Sequence, residues 1–298
     1  LLTGEYFVLD GARALALPTR PGQSLSVEEN AMIDWLHWAG YDEKGAMWFW
    51  AGFDFKTLDI LDTNDAEVAT RLRDILAVIR EWKPRLFRRK KGLDFKTTLD
   101  FPRNWGLGTS STLIQNLARW AEVPAFDLLQ KTFGGSGYDL ACAAADGPIV
   151  YQLEKGKPRW ETVPFDPPFS EAMYFVFLGK KQNSREGIAR YRARPAEARH
   201  IAQISEWTDQ IRMADSLAQF ECLLAKHENL IARTLDLPRA KDLYFADFWG
   251  EIKSLGAWGG DFVLATSDRP PEETRRYFEG KGFEVFLKYA DLILNPSK

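Results

Sequence analysis

A glycine-rich segment in the middle of the sequence has the composition of a phosphate-binding loop. Residues 102–112 read PRNWGLGTSST and follow an alternating apolar stretch. Glycines let the backbone approach an anion, and a helix that starts after them adds the positive end of its dipole. The hydroxyl groups can bind phosphate or Mg²⁺. The segment therefore indicates a phosphate site, although glycine loops before helices also occur as plain turns. Neither G-x-x-x-x-G-K-[ST] nor G-x-G-x-x-G occurs in the sequence.

A second glycine turn precedes an aspartate that could act as a base. Residues 134–137 read GGSG, and Asp139 follows them at the start of a stretch of small residues that predicts a helix. Phosphoryl transfer needs clamped phosphates, a placed cation and a group that accepts the proton of the acceptor hydroxyl. Asp139 could be that group, or it could be an ordinary carboxylate at a helix start, where the helix dipole favours negative charge.

Three segments resemble the motifs of the GHMP superfamily of small-molecule kinases, in the superfamily's order. Residues 4–11, GEYFVLDG, are similar to G-E-H/Y-x-V-L/V-x-G. Residues 102–112 resemble P-x-x-x-G-L-G-S-S-A, and residues 253–262, KSLGAWGGDF, resemble K-x-x-G-A-G-G-G. Residues 135–139, GSGYD, resemble the element that carries the superfamily's catalytic aspartate. The resemblance implies an enzyme, an ATP-dependent kinase that uses Mg²⁺, and the segments 4–11, 102–112 and 253–262 are named below the first, second and third motifs.

The resemblance also implies a role for each motif. Asp139 and Ser110 would be catalytic, with the Ser110 hydroxyl reaching Mg²⁺ and so serving as the metal ligand. The phosphates of ATP would be cradled by Gly106, Leu107, Gly108, Thr109, Ser110 and Ser111. The acceptor would be bound by Glu5, Tyr6, Ser136, Gly256, Gly259 and Gly260.

Three positions depart from the superfamily's pattern. Leu128 stands where mevalonate kinases have a Mg²⁺-binding glutamate, so Asp127, Gln130 or water must serve, or the metal is held more loosely. A lysine that the superfamily places before the first motif would fall upstream of Leu1, and we expect the natural chain to extend in that direction. Trp258 replaces a glycine of the third motif, which predicts a ring that narrows the substrate pocket or stacks within it.

The motifs favour the mevalonate pathway without choosing one acceptor. The third motif ends in Gly-Gly-Asp261 and residues 135–143 read GSGYDLACA, and both look most like phosphomevalonate kinase. The first motif is equally compatible with mevalonate kinase. Residues 179–185, GKKQNSR, could hold an acceptor that already carries a phosphate. The side chains concerned are Lys180, Lys181, Ser184 and Arg185. A solvated turn with Ser184 as its cap explains this segment equally well. A diphosphomevalonate decarboxylase-like lyase and a nucleotide-binding sensor without turnover are the alternatives.

Composition excludes several classes of protein. The 298 residues hold 39 Lys and Arg against 42 Asp and Glu, so the broad positive field of a nucleic-acid binder is missing. The two cysteines are far apart and predict no disulfide framework, which favours a reducing cytoplasm. The three histidines share no ligand spacing, so no zinc site is predicted. No apolar run approaches the ~20 residues of a membrane span, and no signal peptide is visible. The expected partner is a small-molecule substrate, with no nucleic acid and no membrane, and the resemblance admits a homodimer.

Hydrophobic patterning predicts an α+β fold. Strands are predicted near residues 6–9, 14–17, 24–27, 33–38, 48–53, 93–101, 149–153, 174–178, 262–266 and 283–287, the first five as an antiparallel meander. Helices are predicted near residues 65–79, 110–120, 126–132, 138–145, 184–192, 196–232, 239–254 and 271–280. The basic cluster 85–91 is interpreted as a solvated connection. Strands in the first half and mixed helices and strands later predict two lobes, divided near residues 155–170, where prolines and charges concentrate. The resemblance implies an N-terminal mixed β/α domain of the ribosomal-protein S5 domain 2-like type over 1–160, and a C-terminal ferredoxin-like α+β domain over 161–298.

Overall fold

The computed structural model describes residues 1–88, 91–180, 184–194, 196–256, 258 and 260–295. Its strands are β1 Ala14–Ala16, β2 Gln23–Asn30, β3 Leu36–Tyr41, β4 Met47–Phe53, β5 Ile60–Thr63, β6 Gly92–Leu99, β7 Ile149–Glu154, β8 Lys157–Thr162, β9 Met173–Phe177, β10 Ile252–Ser254, β11 Phe262–Thr266 and β12 Phe286–Lys288. Its α-helices are α1 Ala66–Trp82, α2 Thr109–Ala121, α3 Ala125–Thr132, α4 Tyr138–Ala144, α5 Ser184–Ala193, α6 Ala198–Arg212, α7 Leu217–Leu235, α8 Ala240–Tyr244, α9 Pro271–Gly280 and α10 Tyr289–Leu292. Among these helices none is long and apolar enough to cross a bilayer.

Contacts divide the chain into two compact units that are not continuous in sequence. The first unit contains residues 1–20, 104–106 and 145–298, and the second contains residues 21–103 and 107–144. The N-terminal residues belong to the first unit because β1 pairs antiparallel with β7, with Leu15 opposite Val150. The division into domains at residue 160 stays a prediction.

The second unit is built on a five-stranded sheet in the order β2-β6-β3-β4-β5. β6 lies between β2 and β3, antiparallel to the former and parallel to the latter. Of the predicted antiparallel meander, only the pairing of β3 with β4 is confirmed, and β5 was not predicted. Helix α1 begins where the Asp65 side chain accepts hydrogen bonds from the backbone of residues 67 and 68. Its apolar side chains recur every three or four residues, as predicted, and pack with the sheet into one core.

The first unit contains a three-stranded sheet, β1-β7-β8, and a four-stranded antiparallel sheet in the order β10-β11-β9-β12. The second sheet follows the chain order strand, helices, strand, strand, helix, strand from β9 to β12. This is the ferredoxin-like arrangement that the resemblance implied. Strand β8 was not predicted, because five of its six residues are exposed and it lacks an apolar alternation. Its backbone pairs with β7 over all six residues.

Several predicted boundaries are wrong. Residues 6–9 lie largely in a short 3-10 helix, Phe7–Asp10, rather than in a strand. The predicted helix 196–232 is divided into α6 and α7, and the predicted helix 239–254 contains α8 followed by β10. All three residues of β10 are buried although Lys253 and Ser254 are polar, so no hydrophobic pattern marks this strand in the sequence.

Candidate active site

The glycine loop of the second motif leads directly into α2, as the sequence predicted. Gly106 and Gly108 have φ angles of 67° and 78°, in the left-handed region that favours glycine. Gly108 is the residue before the first turn of α2 and has no side chain to cap it. The first N–H groups of a helix have no acceptor within the helix. The backbone at Thr109, Ser110 and Ser111 is therefore suited to an anion.

A side-chain network within the second unit holds the start of α2. The Thr112 hydroxyl lies 3.0 Å from Gln23 Oε1 in β2 and 3.0 Å from the Thr109 carbonyl oxygen, while the Asn116 amide donates to the Gln23 carbonyl oxygen at 2.7 Å. These bonds tie the first turns of α2 to the sheet. Thr112, which follows the residues that match the superfamily motif, thus has a positioning role that the sequence did not show.

Asp139 lies beside this loop. A Cβ atom on Gly108 would be 3.9 Å from the Asp139 Cβ and 4.0 Å from its Oδ1. Gly137, with φ of 82°, turns the chain into α4, and α4 packs against α2. The two elements that the sequence linked only by resemblance, the glycine loop and the aspartate turn, are therefore neighbours within one unit.

The surroundings of Asp139 favour a role as a base. Its side chain is exposed to solvent. Desolvation by the surrounding protein nevertheless raises the pKa of the carboxyl group, although a hydrogen bond from Tyr138 lowers it. A carboxylate with a raised pKa accepts a proton more readily than an ordinary aspartate. One turn later, burial and the Asp139 charge raise the pKa of the Cys142 thiol to about 12, so Cys142 does not supply a thiolate nucleophile.

The residues at the loop fit a magnesium ion held mainly by phosphate. Leu128 is fully buried in the core of the second unit, and the Gln130 amide donates to the Gly135 carbonyl oxygen at 3.0 Å. In the part of the chain that the structure describes, no group of three His, Cys, Asp or Glu side chains could hold a metal. The exposed Ser110 hydroxyl could supply one oxygen ligand beside the loop. Mg²⁺ commonly takes one or two such ligands in addition to phosphate oxygens.

Gly106 faces a carboxylate that sequence reasoning did not connect with the loop. A Cβ atom on Gly106 would overlap the carboxylate of Asp261, the last polar residue of the third motif. The neighbouring Trp105 ring packs against Phe177 and Phe262, which are adjacent strand residues of the first unit. Both contacts fix the start of the loop, and Asp261 explains why only glycine fits at position 106.

We therefore expect Gly106→Ala to weaken ATP binding and to destabilise the fold by about 1–3 kcal/mol, the usual cost of a left-handed φ in a residue other than glycine. Gly45→Ala is the matched control, because Gly45 has φ of 76° with open space around it. Calorimetric titration with ATP and thermal unfolding of both variants measure the two effects. An ATP affinity equally unchanged in both variants would contradict a role for Gly106 in the phosphate loop.

The first motif places Glu5 and Tyr6 inside the first unit. The Glu5 carboxylate accepts a hydrogen bond from Lys253 Nζ at 2.7 Å, and the same ammonium group donates to Glu228 Oε1 at 3.2 Å. Burial lowers the pKa of Lys253, but the two carboxylates outweigh burial and raise it overall. Burial raises the pKa of Glu228 to about 7, against the attraction of Lys253. Sequence reasoning found Glu5 and missed Glu228, which belongs to no motif.

Trp258 is buried rather than in a substrate pocket. Its side chain is 7% exposed and packs in a core cluster with Tyr6, Tyr191 and Leu235. Its indole N–H donates to the Pro238 carbonyl oxygen at 2.9 Å. The prediction that this ring narrows the pocket or stacks within it is therefore wrong. An indole needs both apolar contacts and one acceptor, and the core of the first unit supplies both.

The remaining residues predicted to bind substrate are only partly described. Gly256 has φ of 67° and Gly260 is buried, whereas Gly259 lies outside the described residues. Lys180 is exposed, and its Nζ donates to the Tyr244 hydroxyl at 3.0 Å. Lys181 and the side chains of Ser184 and Arg185 lie outside the described part of the chain. Ser136 is half-buried in the turn before α4. These roles stay predictions.

Comparisons with known proteins support the fold. Neither a family model nor a curated protein sequence matches the chain. The mevalonate kinase of Methanococcus jannaschii matches with a TM-score of 0.69 at 13% identity, covering 99% of this chain and 95% of that one. Phosphomevalonate kinase of Streptococcus pneumoniae, in complex with phosphomevalonate and AMPPNP, matches with a TM-score of 0.69 at 15% identity, covering 96% of this chain and 96% of that one. Mevalonate diphosphate decarboxylase of Enterococcus faecalis matches with a TM-score of 0.57 at 11% identity, covering 93% of this chain and 88% of that one.

Proposed function

We propose that this chain, which has the fold of the GHMP kinases, transfers the γ-phosphoryl group of ATP to a hydroxyl group of a small molecule. The observation that carries the proposal is the position of Asp139 beside Gly108, where the glycine loop enters α2. A helix start suited to phosphate would thus stand next to a carboxyl group whose pKa is raised. Phosphoryl transfer requires these two groups at one place.

Each group then has a defined task. Backbone N–H groups at Thr109 to Ser111 would hold the ATP phosphates, and the dipole of α2 would favour their negative charge. Asp139 would accept the proton as the acceptor oxygen bonds to the γ-phosphorus and the bond to the β-phosphate oxygen breaks, which releases ADP. Mg²⁺, when bound, would neutralise charge on the phosphates, with Ser110 as its protein ligand. The Asp139 proton would pass to solvent, to which its side chain is exposed.

For the acceptor, we propose mevalonate or phosphomevalonate. The solved neighbours are named for these substrates, and Lys180 offers an exposed ammonium group in the segment predicted to bind an anionic acceptor. The lyase alternative is supported by the decarboxylase neighbour, whose TM-score is lower. A sensor without turnover is supported by Leu128, since the metal-binding glutamate of mevalonate kinases is replaced by a buried apolar residue.

One assay separates these functions. ADP release is measured with ATP, Mg²⁺ and a panel of hydroxy acids, sugars and their phosphates, with carbon dioxide monitored in parallel. A kinase releases ADP with at least one acceptor and no carbon dioxide, whereas a lyase releases both. A sensor binds ATP without acceptor-dependent turnover, and that result would overturn the proposal.

We expect Ser110→Ala to lower Mg²⁺-dependent turnover by about tenfold or more, which corresponds to ~1.4 kcal/mol. The exposed hydroxyl makes little contribution to folding, so the melting temperature should barely change. Ser26→Ala, at an exposed serine of β2 in the same unit, is the control. Initial rates over a Mg²⁺ titration measure the effect, and wild-type rates at every Mg²⁺ concentration would remove Ser110 from the site.

A further inference from the structure

We infer that Glu5 and Tyr6 of the first motif are positioning residues that hold the third motif from inside the protein, rather than residues that contact the acceptor. This inference rests on the proposed function in one respect, because the predicted role of the third motif in binding the acceptor holds only if the protein is such a kinase. The residues involved all belong to the first unit. Two separate attachments carry the inference, one at the beginning of the third motif and one at its centre.

The first attachment is a buried ionic cluster around Lys253. Lys253 and Glu228 are both fully buried, and Glu5 is 2% exposed. Lys253 Nζ donates to both carboxylates, and Glu228 Oε2 accepts the backbone N–H of Ser254 at 3.1 Å. A buried ammonium group is retained only where opposite charges and acceptors surround it. Glu5 therefore serves to neutralise Lys253 and thereby fixes residues 253 and 254.

His227 completes this attachment as a neutral side chain. Its Nε2 accepts a hydrogen bond from the backbone N–H of Gly4 at 2.9 Å. Gly4 precedes Glu5, so this bond links the first motif to α7. Burial and the neighbouring Lys253 keep the pKa of His227 well below its usual value. The first motif, α7 and the start of the third motif are thus joined by one set of buried polar contacts.

The second attachment is made by the Tyr6 hydroxyl. It accepts the backbone N–H of Trp258 at 2.9 Å, at the centre of the third motif. The ring is 8% exposed, and a Cβ atom on Gly187 of α5 would lie 2.5 Å from the hydroxyl oxygen. The end of the ring is therefore enclosed by backbone, which leaves no room there for an acceptor molecule.

The backbone at Tyr6 is strained to make this contact. Tyr6 has φ of 65° and ψ of −46°, and the N–H of Phe7 donates to the Glu5 carbonyl oxygen at 2.8 Å. This is the γ-turn of positive φ, which is rare and strained. Strain of this kind persists only where surrounding contacts demand it, and it is concentrated at functional sites. Here the turn directs Glu5 to Lys253 and Tyr6 to Trp258.

Hydrogen exchange of the ligand-free protein tests the inference without relying on catalysis. Tyr6→Phe removes only the hydroxyl, and we expect exchange of the Trp258 amide to rise about tenfold because one buried hydrogen bond is lost. Glu5→Gln should raise exchange of the Ser254 amide in the same way. Tyr191→Phe is the matched control, because it removes the hydroxyl of a neighbouring tyrosine whose ring centroid lies 6.0 Å from that of Tyr6. The Tyr191 hydroxyl donates to Asp10 at 2.7 Å and not to the third motif.

The outcomes are distinct. Faster exchange at Trp258 in Tyr6→Phe but not in Tyr191→Phe supports the inference, even if no acceptor in the panel is phosphorylated and the proposed function fails. Wild-type exchange at Trp258 in Tyr6→Phe overturns it. A raised KM for phosphomevalonate in Tyr6→Phe with unchanged exchange also overturns it, because Tyr6 would then contact the acceptor directly.

Discussion

Asp139→Asn is expected to lower kcat by about 10²- to 10⁴-fold, the usual contribution of a general base. Asparagine keeps the size of the side chain but cannot accept the proton of the acceptor hydroxyl. ATP affinity should stay within a small factor, because the N–H groups of the glycine loop are unchanged. The variant and the wild type are compared in kcat, ATP affinity and melting temperature on the same preparations.

Glu67→Gln is the control for Asp139→Asn. Glu67 is also an exposed carboxylate in the first turn of a helix, α1, in the same unit. If Asp139 only stabilised a helix start, both variants would show a lower melting temperature with kcat per folded molecule intact. Wild-type kcat in Asp139→Asn would rule out its assignment as the base.

The Asp139 carboxylate also predicts how activity depends on pH. Desolvation raises the pKa of Asp139, so the group is protonated at a higher pH than an ordinary aspartate. The proposed base must be ionised, and activity is therefore lost as pH falls through this raised pKa. A profile of kcat/KM for the wild type should show an acid limb above the usual range of aspartate, and Asp139→Asn should lack that limb.

Trp258→Ala is expected to destabilise the protein by about 3–5 kcal/mol, the range found for buried Trp and Phe truncations. The buried ring packs against Tyr6 and its neighbours, and its indole N–H would no longer bond the Pro238 carbonyl oxygen. Trp258→Phe should cost less, since most of the packing is kept. Denaturant unfolding of both variants measures the difference.

Trp160→Ala is the matched control for Trp258→Ala. Trp160 lies on β8 and is 38% exposed, so its truncation should change stability much less. A small loss of stability in Trp258→Ala together with a broader range of accepted substrates would contradict the buried position. That result would restore the earlier prediction of a ring within the substrate pocket.

Local features of the site were predictable from the sequence alone. The glycine loop, the start of α2 and the turn before Asp139 each lie within about ten consecutive residues, and glycine, serine and helix-start preferences act over that distance. The apolar spacing of α1 likewise predicted which of its faces is buried. The ferredoxin-like order of the C-terminal sheet came from resemblance, and the structure confirms it.

Only the tertiary structure decided which distant residues meet. Glu5 and Lys253 are separated by 248 positions, and Glu228 belongs to no motif, yet the three share one buried cluster. The insertion of β6 between β2 and β3 depends on strand pairing that no local pattern specifies. Trp258 looked like a pocket residue because its motif position suggested a loop facing phosphate. Its burial follows from a core and a carbonyl acceptor supplied by other parts of the chain. Backbone preference is local, whereas the partner of a buried charge or ring is set by how the whole chain packs.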